Sequence, residues 1–329
     1  MEFKKEEDII SKWDYSKPLV SIQCIAFNHE NYISQCLDGM LSQETTFPFE
    51  IIVHDDASTD NTATIIRQYA LRYPKIIRPI YEVSNQYSKG DGSLSKILSE
   101  NIKGTYIACC EADDYWCDDQ KLQKQFDFLE SNKDYYAVGH MTKTIDSSGN
   151  EIHAFIDSSP GDYTIKDNNK WQLFAHFSSY FYRNTSEFIS RLNSEEYIKT
   201  KCPGDRKDPI LFFHFGKLYV LPFVGSIYRY QSNAYSFTCQ KSNFNYYKFW
   251  LEVDTLRNYA KSIGINVQYY ERERELISNS IISFIRGKDK ESYTSIKKHR
   301  HSVFAIDFLK AIPTIVKTIT RKIISFFYK

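Results

Sequence analysis

Five carboxylates crowd the end of the run Tyr106–Asp119: Glu111, Asp113 and Asp114, then Asp118 and Asp119. The run opens as a short apolar segment of the kind that forms a buried strand. Oxygen-only side chains at i, i+2 and i+3 just past a strand end suit a hard divalent cation such as Mg²⁺ or Mn²⁺. Such an ion takes one or two carboxylates and completes its shell with substrate phosphates. A solvated acidic turn would have the same composition, so the surrounding elements must decide between the two.

Those elements repeat a pattern. Leu19–Ala26 reads as a nearly continuous apolar strand, the type buried on both faces of a parallel sheet. It leads into Phe27-Asn28-His29-Glu30, and then Ile33, Cys36, Leu37, Met40 and Leu41 mark one face of a helix. Phe49–Val53 is a second strand, followed by His54-Asp55-Asp56-Ala57-Ser58-Thr59-Asp60. Thr59 or Asp60 can cap a helix whose apolar face is Ile65, Ile66, Tyr69 and Tyr73, ended by Pro74. Ile76–Tyr81 is a third strand, 84–92 a polar loop, and Leu94, Ile97, Leu98 and Ile102 a short helix before the fourth strand, Tyr106–Cys110. Strand and helix alternating four times predict a doubly wound, mostly parallel α/β sheet. Ligands bind such sheets beyond the strand C-termini. Three loops meet there: Phe27–Glu30, Asp55–Ser58 and Glu111–Asp114. Together they offer an aromatic face for a base, carboxylates for base N–H and ribose hydroxyls, and a cation site for a diphosphate. That set suits a nucleoside diphosphate.

Composition narrows the classes. With 329 residues the chain can bury a sizeable core, and a net charge of +1 provides no global field for nucleic acid. Only 12 Gly are present, with neither a Walker pattern nor GxGxxG. The seven Cys are odd in number and scattered, without zinc spacing, and Cys24, Cys36, Cys109 and Cys110 read as small core residues. A reducing cytosol is the expected compartment. The charged start, Met-Glu-Phe-Lys-Lys-Glu-Glu-Asp, is not a signal peptide, and no apolar run is long enough to span a bilayer.

At these residues the chain resembles the family 2 glycosyltransferases of the GT-A fold, the bacterial type that builds surface polysaccharides. Val20-Ser21-Ile22 leading to Phe27-Asn28-His29-Glu30 resembles the opening strand and Tyr-Asn-x-Glu loop, with Phe for Tyr. Glu50-Ile51-Ile52-Val53-His54-Asp55-Asp56-Ala57-Ser58-Thr59-Asp60 matches the Glu-Ile-Ile-Val-x-Asp-Asp-x-Ser-x-Asp signature. Glu111-Ala112-Asp113-Asp114-Tyr115-Trp116, with Lys121-Leu122-Gln123 after it, resembles the Glu-Gly-Asp-Asp-Tyr-Trp variant of the DXD motif. The resemblance covers about residues 18–235 and implies roles. Phe27 and Glu30 would contact the nucleoside and Asp56 the base, with Asp55 shaping the loop or touching ligand and Ser58 acting as a local cap. Glu111 and Asp113 would hold Mg²⁺ or Mn²⁺ and the diphosphate, and Asp114 would lie near the donor sugar. Cys202-Pro203-Gly204-Asp205 resembles the Gly-Asp segment bearing the catalytic base. Inverting transfer needs a carboxylate on a segment separate from the metal acids, so Asp205 is the expected base and Asp208 the runner-up. The competing reading has Asp205 capping a helix Pro209–Phe215. Phe174–Tyr182, with Ser178-Ser179, and Arg183 resemble the loop and strand flanking the site. Tyr228-Arg229-Tyr230-Gln231 departs from the family's Tyr-Arg-x-His, so Arg229 or Gln231 must replace the His, or its contact is absent.

The resemblance divides the chain into a lead-in (1–17), a nucleotide-sugar-binding half (18–120), an acceptor-binding half (121–240) and a helical extension (241–329). The expected partners are a nucleoside-diphosphate sugar, favoured to be UDP-linked, and a glycan or polyprenyl-diphosphate-linked acceptor. A hairpin is expected where Tyr136–Ile145 turns at Ser147-Ser148-Gly149-Asn150 into Glu151–Ile156. The tail from Ile296 carries eight Lys/Arg against the single acid Asp307. Ile312, Ile315, Val316, Ile319, Ile323 and Phe326 share a helical face, so residues 302–329 form either a helix lying on the inner face of the plasma membrane or a packing helix. Two other functions compete. A nucleotidyltransferase lacks its Gly-rich phosphate loop here. A non-catalytic sugar-nucleotide-binding scaffold is opposed by intact acids in all three loops.

Overall fold

A computed structural model describes residues 4–13, 17–152, 159–171, 173–230 and 246–285, with residues 312, 313, 316 and 320 singly. Gln231, the far strand of the expected hairpin beyond Ile152 and the basic face of the tail lie outside them.

The elements run α1 (Glu6–Ile10), β1 (Val20–Ala26), α2 (Ile33–Leu41), β2 (Phe49–Asp55), α3 (Thr62–Arg72), β3 (Ile77–Tyr81), α4 (Ser93–Asn101), β4 (Tyr106–Cys109), β5 (Tyr115–Trp116), α5 (Lys121–Ser131) and β6 (Tyr135–Ile145). They continue with β7 (Glu151–Ile152), β8 (Gly161–Tyr163), α6 (Ile165–Asn168), β9 (Phe181–Arg183), α7 (Ser186–Leu192), α8 (Glu195–Lys199), α9 (Gly204–Phe215), β10 (Lys217–Arg229), α10 (Tyr246–Ser262) and α11 (Tyr270–Ile285).

The sheet order is β3-β2-β1-β4-β9-β6-β10-β5, with β7 on β6 and β8 on β10. β3, β2, β1 and β4 are parallel neighbours, as the alternation predicts. Every residue of β2 and β4 is buried, which explains their unbroken apolar character. The regular crossover pattern then stops. β9 enters antiparallel to both β4 and β6, while β6 and β10 run parallel. β7 pairs antiparallel with β6 after the turn at Ser147–Asn150.

The polar lead-in is more structured than its composition suggests. Ile9 of α1 joins the core, and buried Glu6 accepts the backbone N–H groups of Lys75 (2.7 Å) and Ile76 (3.2 Å). One apolar side chain and one carboxylate matched to two free amides are enough to dock a charged segment.

The described residues fall into two compact units. The first spans 1–164, 172–199 and 203–232 and contains the whole sheet. The second comprises 165–171, 200–202 and 233–329. In it α10 and α11 pair through buried Trp250, whose indole N–H donates to Ser280 Oγ at 3.4 Å, and through an Arg257–Glu273 ion pair. Trp250 of α10 is therefore core of this second unit. Among the described residues no helix is long and apolar enough to cross a membrane.

Candidate active site

Because β1, β2 and β4 are parallel, their C-terminal loops leave the same sheet edge. Backbone bonds stitch those loops together: Asp56 N–H donates to Ala26 O (2.9 Å) and Ala112 N–H to Ile25 O (3.1 Å). Side chains complete the seam. Ser58 Oγ accepts from Asn28 N–H (2.9 Å), and Asn28 Oδ1 accepts from Thr59 N–H (2.8 Å). Glu30 Oε2 accepts from the backbone and side-chain N–H of Asn61 at 3.0 and 2.8 Å. The N-cap position of α3 is Asn61, not Thr59 or Asp60; Asp60, one residue earlier, accepts Thr62 N–H at 2.9 Å, and its other oxygen accepts Glu30 N–H at 3.1 Å. Asn28 and Ala57 both hold left-handed backbone (φ 56° and 64°). That conformation costs a non-glycine residue about 1 kcal/mol and occurs where a tip must be aimed. Phe27 stands at this edge with 37% of its surface open.

Asp55 and Asp56 follow one another but do different work. Asp56 is buried, and its two oxygens accept Gln86 N–H (2.6 Å) and Tyr87 N–H (3.0 Å). It thus ties the loop after β3 to the end of β2. Asp55 is buried too, and its Oδ1 has no hydrogen-bond partner.

Beyond β4, Glu111, Asp113 and Asp114 each place a carboxylate oxygen within 4.8 Å of the others. Asp114 lies deepest, fully buried, with Oδ1 accepting Arg229 N–H at 3.0 Å and Oδ2 unpartnered, 3.4 Å from His176 Nδ1. Desolvation first, then the charges of Asp113 and Glu111, push its carboxyl well above the usual range. Glu111 is exposed. Desolvation, then Asp113 and Asp205, raise its carboxyl to about 8. Three hard oxygen donors that repel one another, one of them buried and unpaired, fit a divalent cation.

The acid loop is braced from several sides. The Arg229 guanidinium donates to Asp113 O and Gln35 Oε1 and lies over the rings of Tyr115 (4.5 Å) and Tyr32 (5.1 Å). Arg229 is thus engaged by the protein itself. The indole of Trp116 donates to Ser178 O at 2.8 Å, and buried Lys121 lies 3.9 Å above its ring. Gly39 of α2 meets the Trp116 backbone so closely that a Cβ there would fall 2.7 Å from Trp116 O, so only glycine lets α2 approach.

The acceptor-side residues come from separate segments. His176 sits before the Phe177–Ser179 turn, with Nδ1 2.6 Å from Ser178 Oγ and its ring 4.5 Å from that of Tyr228. Burial lowers its pKa to about 4, so it is neutral at physiological pH. Nothing in the sequence singles out His176 except its place two residues before Ser178-Ser179, in the flanking loop. Asp205 lies in the first turn of α9, which starts at Gly204 rather than Pro209 and runs through the proline. The expectation of a helix beginning at Pro209 is corrected accordingly: proline favours a helix start, but Gly204–Asp208 already supply the first turn. Asp205 Oδ1 is buried and unpartnered, and desolvation raises its carboxyl. Asp208 is bonded by the Tyr197 hydroxyl, and desolvation raises it to about 6.

The buried cysteines are free and packed as core. Cys36 Sγ lies 4.0 Å from Cys24 Sγ and 3.9 Å from Cys110 Sγ.

Comparison with known proteins gives this geometry a family. A model of "Glycosyl transferase family 2" matches residues 21–188, about half the chain. An uncharacterized protein of Mycobacterium tuberculosis, Rv1520, is 42% identical over 130 residues, 40% of this chain and 37% of that one. The UDP-Glc:alpha-D-GlcNAc-diphosphoundecaprenol beta-1,3-glucosyltransferase WfaP of Escherichia coli is 35% identical over 122 residues, 37% of this chain and 45% of that one. The match thus spans less than half the length of either relative. Among solved structures, Staphylococcus aureus TarS 1–349 in complex with UDP-GlcNAc superposes with TM-score 0.51 at 16% identity, covering 87% of this chain and 93% of that one. The mannosyltransferase PcManGT of Pyrobaculum calidifontis, in complex with GDP-Man and Mn²⁺, gives TM-score 0.51 at 14% identity, covering 93% and 84%. Both likenesses concern the fold, which is the GT-A α/β fold. The chain belongs to glycosyl transferase family 2.

Proposed function

We propose that this protein is an inverting glycosyltransferase. It moves a sugar from a nucleoside-diphosphate donor, favoured to be UDP-linked, to a hydroxyl of a glycan or lipid-linked saccharide. The observation that carries the reading is the Glu111–Asp113–Asp114 cluster, which fits a cation at the edge where the parallel strands end. Asp205, whose Oδ1 is buried without a partner, comes from a separate segment and its charge acts on Glu111.

Glu111 and Asp113, with Asp114 beneath them, would hold Mg²⁺ or Mn²⁺. Such an ion neutralises the diphosphate as it departs. Phe27 offers its ring to the base, and Glu30, Asp55 and Asp56 surround the nucleoside through the lone pairs their protein partners leave open. Asp205 accepts the proton of the acceptor hydroxyl while that oxygen bonds the anomeric carbon and the bond to the diphosphate breaks. A raised pKa suits this step, since a stronger base draws the proton further. Asp208 is held by Tyr197 and supports the α9 turn.

The relatives support the substrate classes without fixing them. WfaP is named for a UDP-Glc donor and a diphosphoundecaprenol-linked acceptor, and TarS was solved with UDP-GlcNAc. We place the enzyme in surface-polysaccharide synthesis, at the cytoplasmic side of the membrane where such acceptors are built. Contact with the membrane through residues 302–329 remains part of this proposal. The proposed division is a donor half (18–120), an acceptor half (121–240) and a helical extension (241–329).

The test is the variant Asp205→Asn, assayed with UDP-sugars and Mn²⁺. Asp205→Asn is expected to bind donor normally and to lose turnover by about 10²–10⁴-fold. Unchanged turnover in that variant would remove Asp205 from the chemistry.

A further inference from the structure

We propose that Lys121 is a positioning residue: its buried ammonium, set between the Trp116 ring and Gln125, holds the acid loop and the Ser178–Ser179 turn in register. The inference rests on the glycosyl-transfer reading above and adds to it a residue that acts on the reaction through others.

Lysine is almost never fully buried without a partner of opposite charge, because its ammonium gives up hydration that the interior does not return. Lys121, the first residue of α5, is fully buried. Among the described residues no carboxylate pairs with it, and Asp118, three residues earlier, pairs with Lys124 at 2.6 Å. The Lys121 Nζ lies 3.9 Å from the centre of the Trp116 ring and donates to Gln125 Oε1 at 2.8 Å. Burial draws its pKa down to about 7, against the opposing pull of Cys110, Cys109 and Asp118. A methionine of similar length would fill the same space without that penalty. A charge kept at a cost to stability marks a functional position.

What the charge touches says what it does. Trp116 lies two residues after Asp114, and its indole N–H crosses to Ser178 O at 2.8 Å. The Gln125 amide donates to Ser179 O at 2.8 Å and to Val138 O at 3.2 Å. Lys121 touches both of these side chains, and each holds one carbonyl of the same turn. His176 precedes that turn, with Nδ1 2.6 Å from Ser178 Oγ and 3.4 Å from Asp114 Oδ2. The turn thus closes back on the acid loop, and Lys121 tightens the closure. None of these bonds reaches the nucleoside loops Phe27–Glu30 and Asp55–Ser58. Loss of the ammonium should therefore spare nucleotide binding and disturb the alignment of the reacting sugar beside Asp114, where small misplacements are costly.

The test uses the full chain with Mn²⁺ at about pH 6.5, below the folded pKa of the lysine. UDP-glucose, UDP-galactose, UDP-N-acetylglucosamine and GDP-mannose serve as donors and water as acceptor. Release of the nucleoside diphosphate is followed in wild type, Lys121→Met, Trp116→Phe and the double variant. Lys121→Met is expected to lower kcat about tenfold while KM for the donor stays within about twofold. It should melt at the wild-type temperature or above, because a buried charge has been replaced by an apolar chain of similar volume. In the Trp116→Phe background the same substitution should cost less than about twofold more, since the indole N–H it acts through is already gone. A lower Tm accompanying the loss of turnover would make Lys121 a structural residue and overturn the inference. So would an unchanged kcat, or losses that multiply in the double variant. A wild type inactive on all four donors is the failure of the transfer reading itself, and this inference falls with it. An active wild type matched by an equally active Lys121→Met defeats the inference alone.

Discussion

Two acidic turns flank the end of β1 and are wired in opposite ways. At the end of β2, Asp56 gives one oxygen to each of two backbone N–H groups and so holds a loop. At the end of β4, Glu111, Asp113 and Asp114 crowd together with an unpaired buried oxygen among them. Burial alone therefore does not mark a ligand site. A carboxylate matched by amides needs no cation beside it, whereas carboxylates that repel one another favour positive charge.

The sharpest test of this contrast is Asp113→Asn. It is expected to cut Mn²⁺-dependent nucleotide binding by about 100-fold or more while leaving the fold intact, as calorimetry and circular dichroism would record. Binding that survives unchanged would erase the distinction between the two turns. Asp56→Ala should do the reverse, costing about 2–3 kcal/mol of stability in urea because two buried amides lose their acceptors. Its metal affinity should barely move. Next comes Arg229→Lys, which loses the planar guanidinium that spans Asp113 O, Gln35 and two tyrosine rings. A drop of about tenfold in metal affinity, read by titration with Mn²⁺, is the expected size for a residue supporting a ligand loop.

The smallest effect is a pH dependence. Glu111, Asp114, Asp205 and Asp208 all have carboxyls raised by the fold. A raised acid stabilises the folded state below its unfolded value, near pH 4, and that contribution is lost as pH rises through the folded values, about 6 for Asp208 and about 8 for Glu111. The metal-free protein should therefore melt about 2–4 °C lower at pH 8 than at pH 5 for each kcal/mol so lost. Saturating Mg²⁺ should shrink the gap, because it favours the ionised acids. Scanning calorimetry at both pH values, with and without Mg²⁺, measures it.

The first half of the fold could be read in the sequence because its signals are local. Apolar strands, amphipathic helices and strand-end acids lie within a few residues of one another, and four parallel strands leave one edge for the loops. What escaped was long-range. Nothing near residue 114 announces that His176 will lie beside it or that Arg229 will clamp the loop from 115 residues away. Asp56 was legible as a site residue, but its partners Gln86 and Tyr87 lay in a stretch whose polar composition reads only as a loop. Ile9 was masked by its charged neighbours, and Pro209 resembled a helix start because proline so often is one.

β9 is only three residues long, yet it runs between β4 and β6 and so joins the parallel half of the sheet to the half that follows. The strand that delivers the acid loop and the strand that follows α9 thus belong to one continuous fabric, with neighbouring strands about 4.8 Å apart. The sheet thus sets, by a count of strands, the spacing between the Glu111–Asp114 loop and the strand that follows the helix bearing Asp205, and loop tips can change without recalibrating that length.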